Sequence, residues 1–268
     1  MELSGSWLPG RRPSSTLHAG LFSPPRDEDS ERRGSAAGAP SPAAERSGGM
    51  YARSTTIRGN ATRLEDAVAH MRDEILPQLQ EMHGFVGLSM LADRETGRCI
   101  ATSAWGDELS MRASAGRVHP MRERIVQIFG GEPEVQEWEI AVLHRSRMGD
   151  GTCARVTWVR TDPENLERMI DAYKTSLMPS WEEIQGFCSN SLLVDRRTGH
   201  CAGSVVFASR GAMEHTRDQF TTLREEFARK MGLFTTQREE FARKLGPEIL
   251  EVAEFDLVLA DLRVPETV

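Results

Sequence analysis

Residues 93–99 read Asp93-Arg94-Glu95-Thr96-Gly97-Arg98-Cys99, and five of the seven recur 102 residues later in Asp195-Arg196-Arg197-Thr198-Gly199-His200-Cys201. The similarity extends beyond this stretch, because positions 52–113, shifted by 102 residues, contain 18 identities in 62 ungapped positions. So long a match without a gap is too extensive for chance, and self-similarity at a fixed period indicates a duplicated structural unit. The sequence therefore predicts two copies of one domain.

Each copy predicts the element order β-α-β-β-α-β. Strands are expected where apolar and polar residues alternate, and helices where apolar residues recur every three or four positions, with disturbances at Pro77 and Pro120. In the first copy these elements are expected at 51–58, 62–82, 85–92, 98–105, 107–128 and 134–143. In the second copy they are expected at 153–160, 163–184, 187–194, 200–207, 209–245 and 248–260. This is the order of ferredoxin-like domains.

A sheet covered by helices on one face leaves its other face to be packed. Two such sheets, placed face to face, close into a barrel within one chain. The expected fold class is therefore α+β, with two tandem ferredoxin-like (βαββαβ) repeats forming an intramolecular dimeric α+β barrel. The first repeat is expected at 50–145, a linker at 146–152 and the second repeat at 153–263.

Residues 1–49 differ in composition from the rest of the chain. They contain nine Ser, seven Gly and six Pro, and their apolar residues show no periodicity. Such a segment cannot bury enough apolar surface to offset its conformational entropy, so we expect a disordered N-terminal tail. One hypothesis places the native translation start at Met50, which the intact mass of the protein from its own host would test. The rival interpretation is a regulatory tail.

A younger duplication lies within the second repeat, at 221–246. Residues 221–232 recur as residues 235–246, with a period of 14 residues. This period is close to four helical turns, so an insertion of this length preserves the buried face of a helix. We therefore interpret it as a tolerated helix insertion and not as a binding element.

Composition excludes several classes of protein. The chain has no run of 18 apolar residues, which argues against a membrane span, and its net charge of −7 argues against a nucleic-acid partner. No secretory signal is recognisable at the N-terminus, so a cytoplasmic location is expected. The four cysteines form no C-x-x-C pair, so neither a disulfide framework nor a metal site is predicted. Further homodimerisation is left open.

The strand order and three local features carry a family resemblance: Gly84-Phe85 and Gly186-Phe187 before the second strand of each copy, and Trp105 at the end of the third strand. With these features, residues 50–263 resemble the dimeric α+β barrel superfamily and, more narrowly, antibiotic-biosynthesis-monooxygenase-like (ABM) domains. The chain is also similar to an actinobacterial group of tandem ABM-like proteins of uncharacterised function that open with Met-Tyr-Ala-Arg-Ser-Thr-Thr-Ile. The resemblance implies a small-molecule ligand.

The first strand of each copy supplies the candidate ligand-binding residues. Side chains alternate along a strand, so Arg53 and Thr55 share one face, as do Arg155 and Thr157. Either arginine could point into the barrel and bind an anionic substrate or an enolate. The alternative is that it pairs with a neighbouring carboxylate at the barrel rim. Two matched serines on the second strands, which could line the same cavity or be merely tolerated there, are Ser89 and Ser191.

The resemblance adds Trp105 and His119 to Arg53 as candidate catalytic residues. Quinone-forming monooxygenases of the family use a cavity lined by Asn, Trp, Tyr and Arg, and Trp105 lies at a suitable place, although the second copy has Phe207 there. Core packing of Trp105 and a surface position for His119 are the alternatives. The haem-degrading pattern, which needs Asn on the first strand and Trp with His on the second helix, is mostly absent, so no cofactor is predicted.

Two functions follow as expectations. The first is an ABM-like monooxygenase, independent of a cofactor, that acts on a small aromatic or polyketide-type molecule with O₂ and stabilises a substrate anion near Arg53 or Arg155. The second is a non-catalytic small-molecule-binding or interaction protein with a degenerate cavity, since neither copy carries a full catalytic set. The enzyme interpretation rests on fold resemblance alone.

Overall fold

The computed structural model describes residues 49–145, 151–233 and 247–262. Both copies have the predicted strand order, with bounds within about two residues of those expected. The strands of the first repeat are β1 (Tyr51–Arg58), β2 (Phe85–Asp93), β3 (Arg98–Trp105) and β4 (Pro133–Arg145). Those of the second repeat are β5 (Cys153–Arg160), β6 (Phe187–Asp195), β7 (His200–Phe207) and β8 (Glu248–Leu262).

The eight strands close into one antiparallel barrel in the order β1-β3-β2-β8-β5-β7-β6-β4. Closure depends on two reciprocal pairings between the repeats: β4 of the first pairs with β6 of the second, and β8 of the second pairs with β2 of the first. Each terminal strand therefore also extends the sheet of the other repeat. The expected α+β barrel within a single chain is confirmed.

The first helix of each repeat is interrupted by a π-helical segment. In the first repeat, α1 (Leu64–His70) continues through a π segment at Met71–Ile75 into α2 (Leu76–Gln80). Pro77 is the second residue of α2, so its missing N–H and its ring are accommodated by the wider turn before it. The second repeat repeats this arrangement in α5 (Leu166–Ala172), a π segment at Tyr173–Leu177 and α6 (Met178–Glu182), where Pro179 is equivalent.

The second helix of each repeat breaks at a hydroxyl residue and not at proline. In the first repeat, α3 (Glu108–Ala113) and α4 (Ala115–Phe129) meet at Ser114, and Pro120 lies inside α4. The expected disturbance at Pro120 was therefore misplaced. In the second repeat, α7 (Arg210–His215) and α8 (Arg217–Leu233) meet at Thr216, so the expected single helix over 209–245 is divided. Residues 235–246 of the predicted duplication lie outside the described residues. None of the described helices is long and apolar enough to cross a membrane.

The repeated turn between the two middle strands requires glycine. Gly97 and Gly199 have φ values of +68° and +71°, and a Cβ at Gly199 would lie 1.8 Å from the Thr161 carbonyl oxygen. An aspartate fixes the start of each turn. The Asp93 Oδ1 accepts hydrogen bonds from the amides of Glu95 and Thr96 at 2.9 and 3.2 Å. This explains why the Asp-Arg-x-Thr-Gly sequence occurs in both copies.

The turn aspartates predict a loss of stability in acid. The hydrogen bonds that Asp93 and Asp195 accept within their turns outweigh the opposing effect of burial and lower the pKa of both carboxyl groups. A carboxylate whose pKa is lowered on folding contributes its full stabilisation above its ordinary pKa. That contribution is lost as the pH falls from the ordinary pKa through the lower pKa of the folded state. We expect the free energy of unfolding to fall between about pH 5 and pH 3. Urea unfolding of an Asp93→Asn/Asp195→Asn double variant should show a smaller change in the free energy of unfolding over this pH interval. A pH dependence equal to that of the wild-type protein would contradict the role given to the turn aspartates.

Candidate ligand pocket of the second repeat

The two predicted arginines lie outside the barrel, on the helix-facing side of the sheet. Arg53 donates from Nε and Nη2 to Glu137 at 3.0 and 2.7 Å, from Nη1 to the Ser114 hydroxyl at 2.9 Å, and from Nη2 to the Met111 carbonyl at 2.8 Å. Of the two interpretations of Arg53, pairing with a neighbouring carboxylate is the one that the structure has. The physical reason is that Glu137 lies opposite Arg53 on β4 and shares its face.

Arg155 repeats this arrangement with one difference. It donates from Nε and Nη2 to Glu254 at 3.1 and 2.8 Å and from Nη2 to the Met213 carbonyl at 3.0 Å. Its Nη1 is buried without a hydrogen-bond partner among the described residues, because the guanidinium lies 4.6 Å from the centroid of the Phe220 ring. Like Arg53, it faces the helices, so neither predicted arginine serves a site inside the barrel.

The remaining predicted residues fall into three separate places. Thr55 and Thr157 face the helices with their arginines, whereas Ser89 and Ser191 line the interior of the barrel. Trp105 is fully buried in the core between sheet and helices, where its indole N–H donates to the Ser103 hydroxyl at 3.0 Å. His119 is exposed on α4, 3.2 Å from Glu123. Arg53 and Trp105 are thus linked through Ser103, whose hydroxyl accepts from the Trp105 indole and donates to the Arg53 carbonyl at 3.3 Å, whereas His119 lies on the surface.

Three internal spaces can receive a small molecule. The barrel cavity, enclosed by the eight strands, has a volume of about 140 Å³. The first-repeat pocket, between the sheet and helices of the first repeat, has about 60 Å³, and the second-repeat pocket, at the equivalent place in the second repeat, has about 70 Å³. Ligand sites are usually concave apolar spaces with a few convergent polar groups. The polar side chains around each of the three spaces therefore indicate what it could bind.

The first-repeat pocket has an almost wholly apolar wall. Its polar boundary comes mainly from Arg53, which is hydrogen-bonded, and from Arg122 on α4, whose Nε, like that of the equivalent Arg224, has no hydrogen-bond partner among the described residues. The apolar residues that contribute most of the wall are Met71, Ile75, Leu79, Leu88, Met90, Met121, Ile125 and Phe129. We find no combination here that could activate a substrate.

The second-repeat pocket contains a buried polar cluster at positions that are apolar in the first repeat. Tyr173, in the π segment, lines the pocket together with Trp181. The hydroxyl of Tyr173 receives a 3.5 Å hydrogen bond from the Nδ2 of Asn190 on β6. Burial raises the pKa of Tyr173, so at neutral pH the phenol keeps its proton and can act as a donor. Tyr and Trp side chains therefore line the pocket, and Asn190, which is not one of its lining residues, contacts it through the Tyr173 hydroxyl.

Four buried polar atoms around this pocket have no hydrogen-bond partner within the described part of the chain. They are the Oδ1 of Asn190, the Oγ1 of Thr157, the Nε1 of Trp181 and the Nε of Arg224 on α8. Buried polar groups are nearly always satisfied, and unpaired ones are costly. One unpaired acceptor, one hydroxyl, one indole N–H and one cationic donor next to an apolar pocket can be satisfied together by a polar ligand. Asn190 is only 1% exposed, so bulk water does not supply that partner.

Reasoning from the sequence missed Tyr173, Trp181, Asn190 and Arg224. The signal that could have found them was the alignment of the two copies itself. At a shift of 102 residues, Tyr173, Trp181 and Asn190 replace Met71, Leu79 and Leu88, which are core residues in the first copy. Arg224 is equivalent to Arg122. Three apolar core positions that become hydrogen-bonding in one copy only are typical of a site that one repeat has gained or the other has lost.

The residues present do not fit haem. Haem ligation of the kind implied by the resemblance needs a histidine, and neither pocket between sheet and helices is lined by one. His215 on α7 is exposed and contacts the carbonyl of Gly211 at 2.6 Å. Within the described ranges no group of three His, Cys, Asp or Glu side chains is arranged to hold a metal ion. No chemical step is therefore assigned to either group below.

Two mycobacterial proteins are similar to the chain over most of its length. The sequence is 44% identical over 220 residues to uncharacterized protein Rv2557 of Mycobacterium tuberculosis, covering 82% of this chain and 92% of that protein. It is also 44% identical over 224 residues to uncharacterized protein Rv2558 of the same organism, covering 82% and 88%. No protein-family profile matches the sequence.

Solved structures show the same fold at low sequence identity. A proposed monooxygenase from Lactobacillus acidophilus superposes with a TM-score of 0.57 at 10% identity, covering 80% of this chain and 97% of that one. An anthrone oxidase-like protein superposes with a TM-score of 0.55 at 11% identity, covering 83% and 96%. At such identities the similarity establishes the ABM-like fold and leaves the chemistry to the residues of the site.

Proposed function

The chain belongs to the family of the Mycobacterium tuberculosis proteins Rv2557 and Rv2558, and we propose that its second repeat is an ABM-type monooxygenase acting on a small hydroxylated aromatic molecule with O₂. The observation that carries the proposal is the cluster of Tyr173, Trp181 and Asn190 beside the second-repeat pocket, next to the unpaired atoms of Thr157 and Arg224. These are the residue types that the family resemblance associates with a quinone-forming cavity. The first repeat serves as the structural partner that closes the barrel.

The unpaired atoms have complementary roles toward a phenolic substrate. The Oδ1 of Asn190 accepts a hydrogen bond from the substrate hydroxyl, which it also orients. Once the hydroxyl has released its proton to solvent, the guanidinium of Arg224 and the hydroxyl of Thr157 donate to the oxyanion. The apolar wall excludes water and strengthens these interactions, because charges interact more strongly where the dielectric constant is low. Its members are Val159, Met169, Leu177, Leu192, Val205 and Phe220.

The proposed reaction balances without an added reductant. An aromatic ring system with an activated methylene group, R₂CH₂, reacts with one O₂ to give the quinone carbonyl, R₂C=O, and one H₂O. The methylene carbon supplies all four electrons: two C–H bonds break, one oxygen atom enters the product, and the other leaves as water. Deprotonation of the phenol makes the ring electron-rich enough to react with O₂, and the positive charge of Arg224 favours the deprotonated form.

The pocket must widen to admit an aromatic ring. Its 70 Å³ is roughly half of the ~150 Å³ cavity that holds benzene in an engineered protein interior. The half-buried Phe227 on α8 packs edge-on against Tyr173, with a centroid separation of 6.3 Å. The opposite wall is the barrel sheet, so the pocket can widen on its helix side. Rotation of the Phe227 ring would enlarge it there.

Oxygen consumption with isotope labelling tests the function. Purified full-length chain is incubated with a panel of hydroxylated anthrones and naphthols under ¹⁸O₂, without nicotinamide or flavin. We expect uptake of one O₂ per product, with one ¹⁸O atom in the product and one in water. Saturable binding of the panel without O₂ uptake would identify a binding protein, and absence of both would overturn the proposal.

A further inference from the structure

We propose that the barrel cavity is a second ligand site, which binds a neutral, mainly apolar molecule of about one ring that carries a single hydrogen-bonding group. This site is separate from the second-repeat pocket, because the sheet lies between them. It is also built differently, from both repeats together, and no residue of the proposed oxygenase chemistry other than Asn190 borders it. The inference does not depend on the proposed function.

The cavity exists because small side chains occupy the inward positions of the strands. An eight-stranded barrel has an interior that ordinary core side chains just fill, or that holds one small ligand when they do not. Protein interiors are otherwise packed as densely as organic crystals, so about 140 Å³ of shaped space is a specific feature. The small residues that leave this space are Ala52, Ser54, Ser89, Ala104, Ser189, Ser191, Ala202 and Ser204.

The lining defines the chemistry of the ligand. No Asp, Glu, Lys, Arg or His side chain is among the described residues that form it, so a charged ligand would lose its hydration without a counter-charge. Most of the wall is apolar, and Trp138 and Trp158, one from each repeat, offer indole surfaces for contact with a ring. Hydroxyl groups face the cavity in opposed pairs, Ser191 with Ser204 in the second repeat and Ser89 with Thr102 in the first. A ring with one alcohol group matches this combination.

The barrel cavity and an open surface groove share lining residues at the start of β4. Gln136 is exposed, yet it lines both the barrel cavity and an open groove on the outer surface, and the buried Trp138 does the same. Trp138 is held by a 2.8 Å hydrogen bond from its indole N–H to the Ser54 hydroxyl. The charged residues Arg112 and Arg196 line the groove but not the cavity. A neutral molecule can therefore pass Gln136 without meeting a charge inside.

The test uses 4-fluorobenzyl alcohol, which has one ring, one hydroxyl and no ionisable group near neutral pH. Binding to the full-length chain is followed by ¹⁹F NMR and calorimetry, and nuclear Overhauser contacts are sought between the probe and the tryptophan indole protons. Ser191→Leu and, independently, Ser204→Val fill the cavity. Thr157→Val is the matched control, because it changes the second-repeat pocket on the other side of the same sheet. Circular dichroism verifies that each variant is folded.

We expect the wild-type chain to bind the probe saturably, 1:1, with Overhauser contacts to Trp138 and Trp158. The affinity should be about tenfold weaker in either filling variant and within about twofold of the wild-type value in Thr157→Val. Three results would overturn the site: no saturable binding by the wild-type chain, binding that neither filling variant weakens, or binding that Thr157→Val alone removes. The last result would place the probe in the second-repeat pocket and support the proposed function instead. Loss of oxygenase activity with retained barrel binding would leave this inference standing.

Discussion

Asn190→Leu is expected to lower substrate-dependent O₂ uptake by about 10²-fold while leaving the free energy of unfolding unchanged or higher. The substitution removes the unpaired Oδ1 that we assign to the substrate hydroxyl, and it introduces the residue that the first repeat has at the equivalent position, Leu88. Replacing a half-satisfied buried amide by an apolar side chain of similar volume removes a desolvation cost. Activity and stability should therefore change in opposite directions, as expected for a residue retained for function.

The measurement combines initial rates of O₂ uptake with urea unfolding of the same preparations. Leu88→Met, a volume-conserving change in the first-repeat pocket, is the matched control and should alter neither quantity appreciably. Tyr173→Phe provides a second test in the same cluster, because it removes only the hydroxyl that Asn190 contacts. Unchanged O₂ uptake in Asn190→Leu would exclude the second-repeat cluster from the reaction.

Trp105→Ala is expected to destabilise the protein by about 3–5 kcal/mol. Trp105 is completely buried, packs edge-on against Phe85 with a centroid separation of 5.6 Å, and donates to Ser103. Truncation leaves a large cavity in the first-repeat core and removes the indole donor from the Ser103 hydroxyl, which keeps its bond to the Arg53 carbonyl. The sequence offered Trp105 as a candidate catalytic residue, and its surroundings instead favour packing.

Denaturant unfolding monitored by circular dichroism gives the change in free energy, and O₂ uptake is measured per folded molecule. Trp105→Phe is the control, because the second repeat has Phe207, also fully buried, at the equivalent place. This variant should lose much less stability than Trp105→Ala. A large loss of activity in Trp105→Phe with the fold intact would restore Trp105 to the catalytic residues and contradict the packing interpretation.

The sequence by itself determined the repeat, the element order and the barrel. Turns such as Asp93–Gly97 depend on local chemistry, a side chain that accepts nearby amides and a glycine with positive φ, so they can be identified without tertiary information. Strand alternation is equally local. The duplication then implied two incomplete sheets in one chain, for which closing on each other is the simplest way to bury both open faces.

Only the tertiary structure decided which strand face belongs to the barrel and where a pocket forms. Alternation places Arg53 and Ser54 on opposite faces, but both faces of these strands are buried, one by helices and one by the barrel, so polarity did not identify the inward side. The cluster of Tyr173, Trp181 and Asn190 depends on contacts between a helix and a strand up to 17 residues apart in the chain. Whether Arg53, Trp105 and His119 lie near one another depends on packing in the same way, and sequence spacing does not specify it.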